Sequence, residues 1–184
     1  MPFKSLCVLV IVLVATAAGA QPSNPAAATD AASPAAYATL GPLIGEWDVG
    51  PEGAPAAFIE RFSWGTGRAY VWLSVVLIQG SGNEHLHFEG PIVWNAASQR
   101  YDYLFVVEPG SLVQEKGEIY AIDGGVIVRD VLLTAADGST SRFRQTFHAL
   151  DGSSMETSLM RQTTEGWVPT FPRSERLIMK RREG

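Results

Sequence analysis

The chain has 184 residues with 14 Lys+Arg against 19 Asp+Glu, a formal charge of -5, and so offers no basic face for nucleic-acid phosphates. Apolar residues make up 46% and charged ones 18%, which excludes a wholly disordered chain and provides for one substantial core. A single cysteine excludes an internal disulfide framework.

Residues 1–20 read as an export signal. Lys4 gives a basic start, Leu6 to Val14 is a continuous apolar run, and Ala18-Gly19-Ala20 is a small-x-small cleavage site. The run is too short for a membrane span. Cleavage near Ala20 would also remove Cys7, leaving no lipid-attachment site. The expected product is soluble, without a membrane partner, and periplasmic or secreted. Gln21 to Ala35, rich in Ala, Pro and Ser, reads as a flexible tether. The folded domain is then 36–184.

One short helix is expected over Ala35 to Leu43. Beyond it, turn clusters such as Gly65-Thr66-Gly67, Asp123-Gly124-Gly125, Asp137-Gly138-Ser139 and Asp151-Gly152-Ser153 recur at regular spacing. The runs between them are rich in β-branched and aromatic residues. They predict ten strands at about 45–50, 56–64, 68–79, 84–94, 100–107, 112–122, 126–135, 139–149, 153–163 and 174–182. Strands joined by short hairpins run antiparallel. An open sheet of ten would leave two long edges, and closure removes both. The expected fold is therefore all-β: a closed antiparallel up-and-down barrel of about ten strands with one short N-terminal helix. A two-sheet sandwich is the alternative.

Alternation assigns faces. In 142–148, Arg142, Arg144, Thr146 and His148 share one face, and Phe143, Gln145 and Phe147 the other. In 84–89, His85, His87 and Glu89 are expected on one face, Leu86 and Phe88 on the other. The strand from Tyr70 to Ile78 is apolar on both faces. Its outer side is expected to be covered by the helix or by a second subunit in a homodimer.

Leu40-Gly41-Pro42-Leu43-Ile44-Gly45-Glu46-Trp47 resembles the Gly-x-Trp opening of lipocalin-like (calycin) barrels. With Phe62-x-Trp64, Gly90-x-x-x-Trp94 and Tyr101-Asp102-Tyr103, residues 40–182 look like a group of exported bacterial lipocalin-like proteins classed as a domain of unknown function. The resemblance implies a barrel with a cavity and no particular reaction. It implies that Gly45 allows a bend and that Trp47 plugs the closed end beneath a basic side chain. Arg176 is the favoured basic partner, with Lys180 or Arg181 as substitutes.

Several constellations could carry chemistry. Trp64, Trp72, Trp94, Tyr101, Tyr103 and Phe105 could line a pocket for a small apolar or amphipathic ligand. His85, His87 and Glu89, with His148 as a third imidazole, could hold a divalent metal, because positions i and i+2 of a strand project together. The His-x-His is similar to that of cupins, but the Glu follows too soon. His148 is also the nearest candidate for a haem ligand, by similarity to nitrobindin-like barrels. Arg142, Arg144 and His148, with Glu115 and Arg129 in neighbouring strands, would make a charged interior if their face pointed inward. The apolar character of Phe143 and Phe147 favours an outward face instead. No nucleophile, Walker or dinucleotide motif is present. The first reading is a cofactor-free binding barrel. The alternatives are a metal-dependent enzyme built on His85, His87 and Glu89, and an interaction protein that dimerises through 70–78.

Overall fold

The computed structural model describes residues 35–80, 82–108 and 111–182. The export signal and nearly all of the tether therefore lie outside the described residues. A 3-10 helix, Ala35–Leu43, is followed by eleven strands: β1 Gly45–Pro51, β2 Phe58–Trp64, β3 Val71–Ile78, β4 Glu84–Asn95, β5 Arg100–Val107, β6 Gln114–Ala121, β7 Ile127–Thr134, β8 Thr140–Ala149, β9 Ser154–Thr163, β10 Gly166–Pro169 and β11 Leu177–Arg181. Each strand from β1 to β9 pairs antiparallel with the next, and β11 closes the ring between β9 and β1. Ten strands form the closed barrel, and β10 is extra. It pairs with the far half of β9, on the edge whose near half takes β11.

The alternation of β5 is the fold in miniature. Tyr101, Tyr103, Phe105 and Val107 are buried, and the residues between them are exposed. A period of two turns one set of side chains inward and leaves the other in water. Gly117 shows the packing limit. A Cβ there would collide with Asp130 O and lie 2.9 Å from the Tyr103 hydroxyl, which itself donates to Asp130 O at 2.9 Å.

One end of the barrel is sealed. Trp47 is fully buried and donates its indole N–H to Leu43 O at 2.7 Å. Its ring is covered by Arg181, whose Cζ lies 4.2 Å from the centroid. Arg181 also donates to Ile44 O at 2.8 Å. The basic partner is thus Arg181 and not Arg176, which sits outside and pairs with Glu156 at 2.9 Å. Register decides this: Arg181 lies directly opposite Trp47 across β1 and β11. Gly45, at φ +136°, allows the arrangement, because a Cβ there would strike the Arg181 guanidinium.

The helix completes the seal rather than covering the outside of β3. Its Tyr37 hydroxyl donates to Ala69 O at 2.8 Å and accepts from Trp94 N at 2.9 Å. Tyr101 donates to Ala36 O at 2.6 Å. On the outer face of β3, Val76 is buried and Trp72 half-buried. The more exposed apolar residues of the outer wall are Val93, Leu104 and Val106, on β4 and β5.

Candidate functional site

The other end of the barrel is hollow. A cavity of about 350 Å³ lies there, near the lower bound of roughly 300 Å³ for small-molecule sites. Its walls are apolar and include Phe58, Val75, Phe88, Leu133, Phe143 and Phe171. Its floor is polar. Glu60 of β2, Glu115 of β6, Arg129 of β7 and Gln145 of β8 all line it, and all are between 1% and 6% exposed.

Each floor residue occupies an inward position that the alternation reserves for the core. Glu60 stands between Phe58 and Phe62, Arg129 between Ile127 and Val131, and Gln145 between Phe143 and Phe147. Gln145 donates its amide to Glu60 Oε1 at 2.8 Å and to Thr157 Oγ1 at 3.3 Å. Arg129 Nη2 approaches Glu115 Oε1 at 3.5 Å. The Arg129 guanidinium also lies 5.3 Å from the Phe88 ring, 5.9 Å from Phe105 and 6.0 Å from Tyr103, a set of faces that attracts a cation.

Burial pushes the carboxyl pKa values of Glu60 and Glu115 up, with Arg129 opposing in both cases. Burial works against the Arg129 cation, but Glu115, Tyr103 and Glu60 outweigh it and hold its pKa above the ordinary value. Several floor atoms have no hydrogen-bond partner among the described residues: Glu60 Oε2, Glu115 Oε1, Gln145 Oε1, and Arg129 Nε and Nη1. An orphaned buried polar group costs about 1–3 kcal/mol. A ligand or water that meets several at once recovers much of that cost.

The six aromatic residues expected to line a pocket do not line this cavity. Trp64, Trp94 and Tyr101 belong to the sealed end, where Tyr37 meets Trp64 edge-on at 6.1 Å and Trp94 meets Tyr101 at 5.0 Å. Tyr103 and Phe105 stack at 4.4 Å and support Arg129 from below. Trp72 points outward and donates to Glu89 at 3.3 Å. Phenylalanines form the cavity wall instead. The signal for the floor was present in the sequence: a polar residue flanked two positions away on each side by apolar ones.

His85, His87, Glu89 and His148 are not brought together. The register slips between Val75 and Val76, which pair with Phe88 and Leu86 and leave His87 unopposed. This bulge turns His87 toward the cavity rim beside Phe88, at 5.4 Å between rings. Glu89 stays on the outer face with Trp72. His85 is exposed, and His148 is exposed opposite Glu156 on the outer face. Among the described residues no three His, Cys, Asp or Glu side chains are grouped to hold a metal ion. Burial lowers the His87 pKa, and Glu108, 3.8 Å away, works against that shift.

Arg142 and Arg144 face outward, with Arg144 pairing to Asp130 at 2.7 Å. The barrel nevertheless has a charged interior, built from Glu115 and Arg129 together with Glu60. No family model matches the chain, and no curated protein matches it.

Proposed function

We propose that the barrel is a binding module for one small amphipathic molecule. Its apolar part would lie among Phe58, Leu133, Phe143 and Phe171, and its polar end would rest on Glu60, Arg129 and Gln145. The observation that carries this reading is the set of buried, unanswered polar atoms at the floor of an apolar cavity. A core built only for stability leaves few such groups.

The lipocalin-like reading draws support from Trp47, sealed beneath Arg181. Export draws support from the composition of residues 1–20, and N-terminal sequencing of protein from its own host is expected to begin near Gln21. The outer wall carries Arg142, Arg144, His148 and Glu156. That favours a barrel in water, since a lipid-facing wall is apolar.

Native mass spectrometry of protein purified from its own host is expected to show a small molecule that leaves on denaturation. Leu133→Trp fills the cavity from its wall and is expected to abolish binding while the barrel stays folded. Wild type without a bound molecule, together with equal uptake of an apolar fluorophore by both proteins, would refute the reading.

A further inference from the structure

The cavity floor has an unequal charge count. Two carboxyl groups, Glu60 and Glu115, share it with one cation, Arg129. Arg129 pairs its Nη2 with Glu115 at 3.5 Å and faces the rings of Phe88, Tyr103 and Phe105, while its Nε and Nη1 have no hydrogen-bond partner among the described residues. Glu60 has no cation within ion-pair distance among the described residues. Its Oε1 accepts from Gln145 and its Oε2 accepts from nothing.

Two acceptors therefore stand unused on the floor, Glu60 Oε2 and Gln145 Oε1, and Glu115 Oε1 is held only by its 3.5 Å ion pair with Arg129. A primary ammonium carries three N–H donors and the one positive charge the floor lacks. The phenylalanine rings at 58, 88, 143 and 171 suit an apolar body and tolerate a cation at its end. A carboxylate head would bring a third negative group to a single cation. An alcohol brings no charge and would leave a proton as the only means of neutralising Glu60.

We propose that the cavity selects a small primary amine with an apolar body, its ammonium answering Glu60, Gln145 and Glu115. This rests on the cavity being a binding site.

A proton and a bound cation then compete for Glu60. Burial raises its carboxyl pKa, with Arg129 and Gln145 opposing, so an empty floor takes up a proton there more readily than an exposed carboxylate would. The groups facing Glu60 are Arg129 of β7, Glu115 of β6 and Gln145 of β8. Its neighbours in register are uncharged, Trp47 of β1 and Val75 of β3. Tyr103 lies beneath Arg129, and His87 stands at the rim. An ammonium competes with that proton, so amine affinity rises with pH as Glu60 ionises.

Three matched probes test this: 3-phenylpropylamine, 3-phenylpropanol and 3-phenylpropanoate, titrated calorimetrically into the full mature protein at pH 8. The amine is expected to bind at least about tenfold more tightly than either of the others. Glu60→Gln is expected to reduce the amine to the level of the alcohol. Should that variant fail to fold, titrations of wild type across pH decide the matter, with amine affinity expected to rise with pH more steeply than alcohol affinity. Alcohol or acid binding as tightly as amine, or amine affinity that does not rise with pH, overturns the amine proposal while the binding module stands. No binding by any of the three overturns both.

Discussion

The two ends of the barrel use the same alternation and put opposite things on it. At the sealed end the inward positions hold Trp47, Phe62, Leu73, Tyr101 and Phe147, and the helix adds Tyr37, Leu40 and Leu43. The polar tips of Trp47, Tyr37 and Tyr101 all find backbone carbonyls. At the hollow end the inward positions include Glu60, Glu115, Arg129 and Gln145, and several of their atoms find nothing. A packed, satisfied core holds a structure together; unsatisfied groups beside a void mark where the protein meets something else. Stability should therefore concentrate at the Trp47 end and ligand response at the Glu60 end.

The strongest way to break that division is Trp47→Ala. It removes the largest buried side chain of the seal and the hydrogen bond to Leu43, and should cost about 3–5 kcal/mol by chemical denaturation. A loss below about 1 kcal/mol would show that the seal is not where stability resides.

Arg129→Met is next. It strands Glu115 in the interior, and a loss of about 3 kcal/mol is expected at pH 8. The loss should shrink as pH falls and Glu115 takes up a proton. Adding Glu115→Leu should recover most of it, since a replaced pair costs less than a broken one. A double variant no better than the single would mean that Arg129 acts through its aromatic faces alone.

Glu60→Gln sharpens the hollow end. The Glu60 and Glu115 pKa values are raised in the folded protein, so folding binds protons that the unfolded chain releases. That stability is fully present below the ordinary carboxylate range and is lost as pH rises through the folded pKa values. Ligand-free wild type should therefore weaken as pH rises above about 4.5. Glu60→Gln should flatten the fall and raise stability at pH 8. Parallel melting curves for the two proteins across pH would contradict this.

Arg181→Lys is the smallest change. It keeps the charge but replaces a planar group over Trp47 with a compact one. The expected loss is about 0.5 kcal/mol, measured by thermal melting, with ligand binding unaffected.

Most of the strand plan was legible from local signals. Turn clusters and β-branched runs located the ten barrel strands and the helix at 35–43 within a few residues. β10 escaped because four residues, Gly166–Pro169, carry too little pattern beside a glycine and a proline. The aromatic set was legible as apolar bulk but not as a location. Trp64, Trp94 and Tyr101 proved to be packing at the sealed end, while the cavity wall fell to phenylalanines. One residue of register parts His87 from Glu89. A bulge forms between two strands, so nothing local to His87 announces it. The floor residues were visible as polar breaks in apolar stripes, as in Phe58-x-Glu60-x-Phe62.

Local sequence determined where this chain turns and which residues alternate, because each of those depends on neighbours a few residues apart. Ring closure alone decided that Arg181 covers Trp47. It also brought Glu60 within 2.8 Å of Gln145, a residue 85 positions away. Separations of that size are set by the pairing of every strand between, and no stretch of sequence contains them.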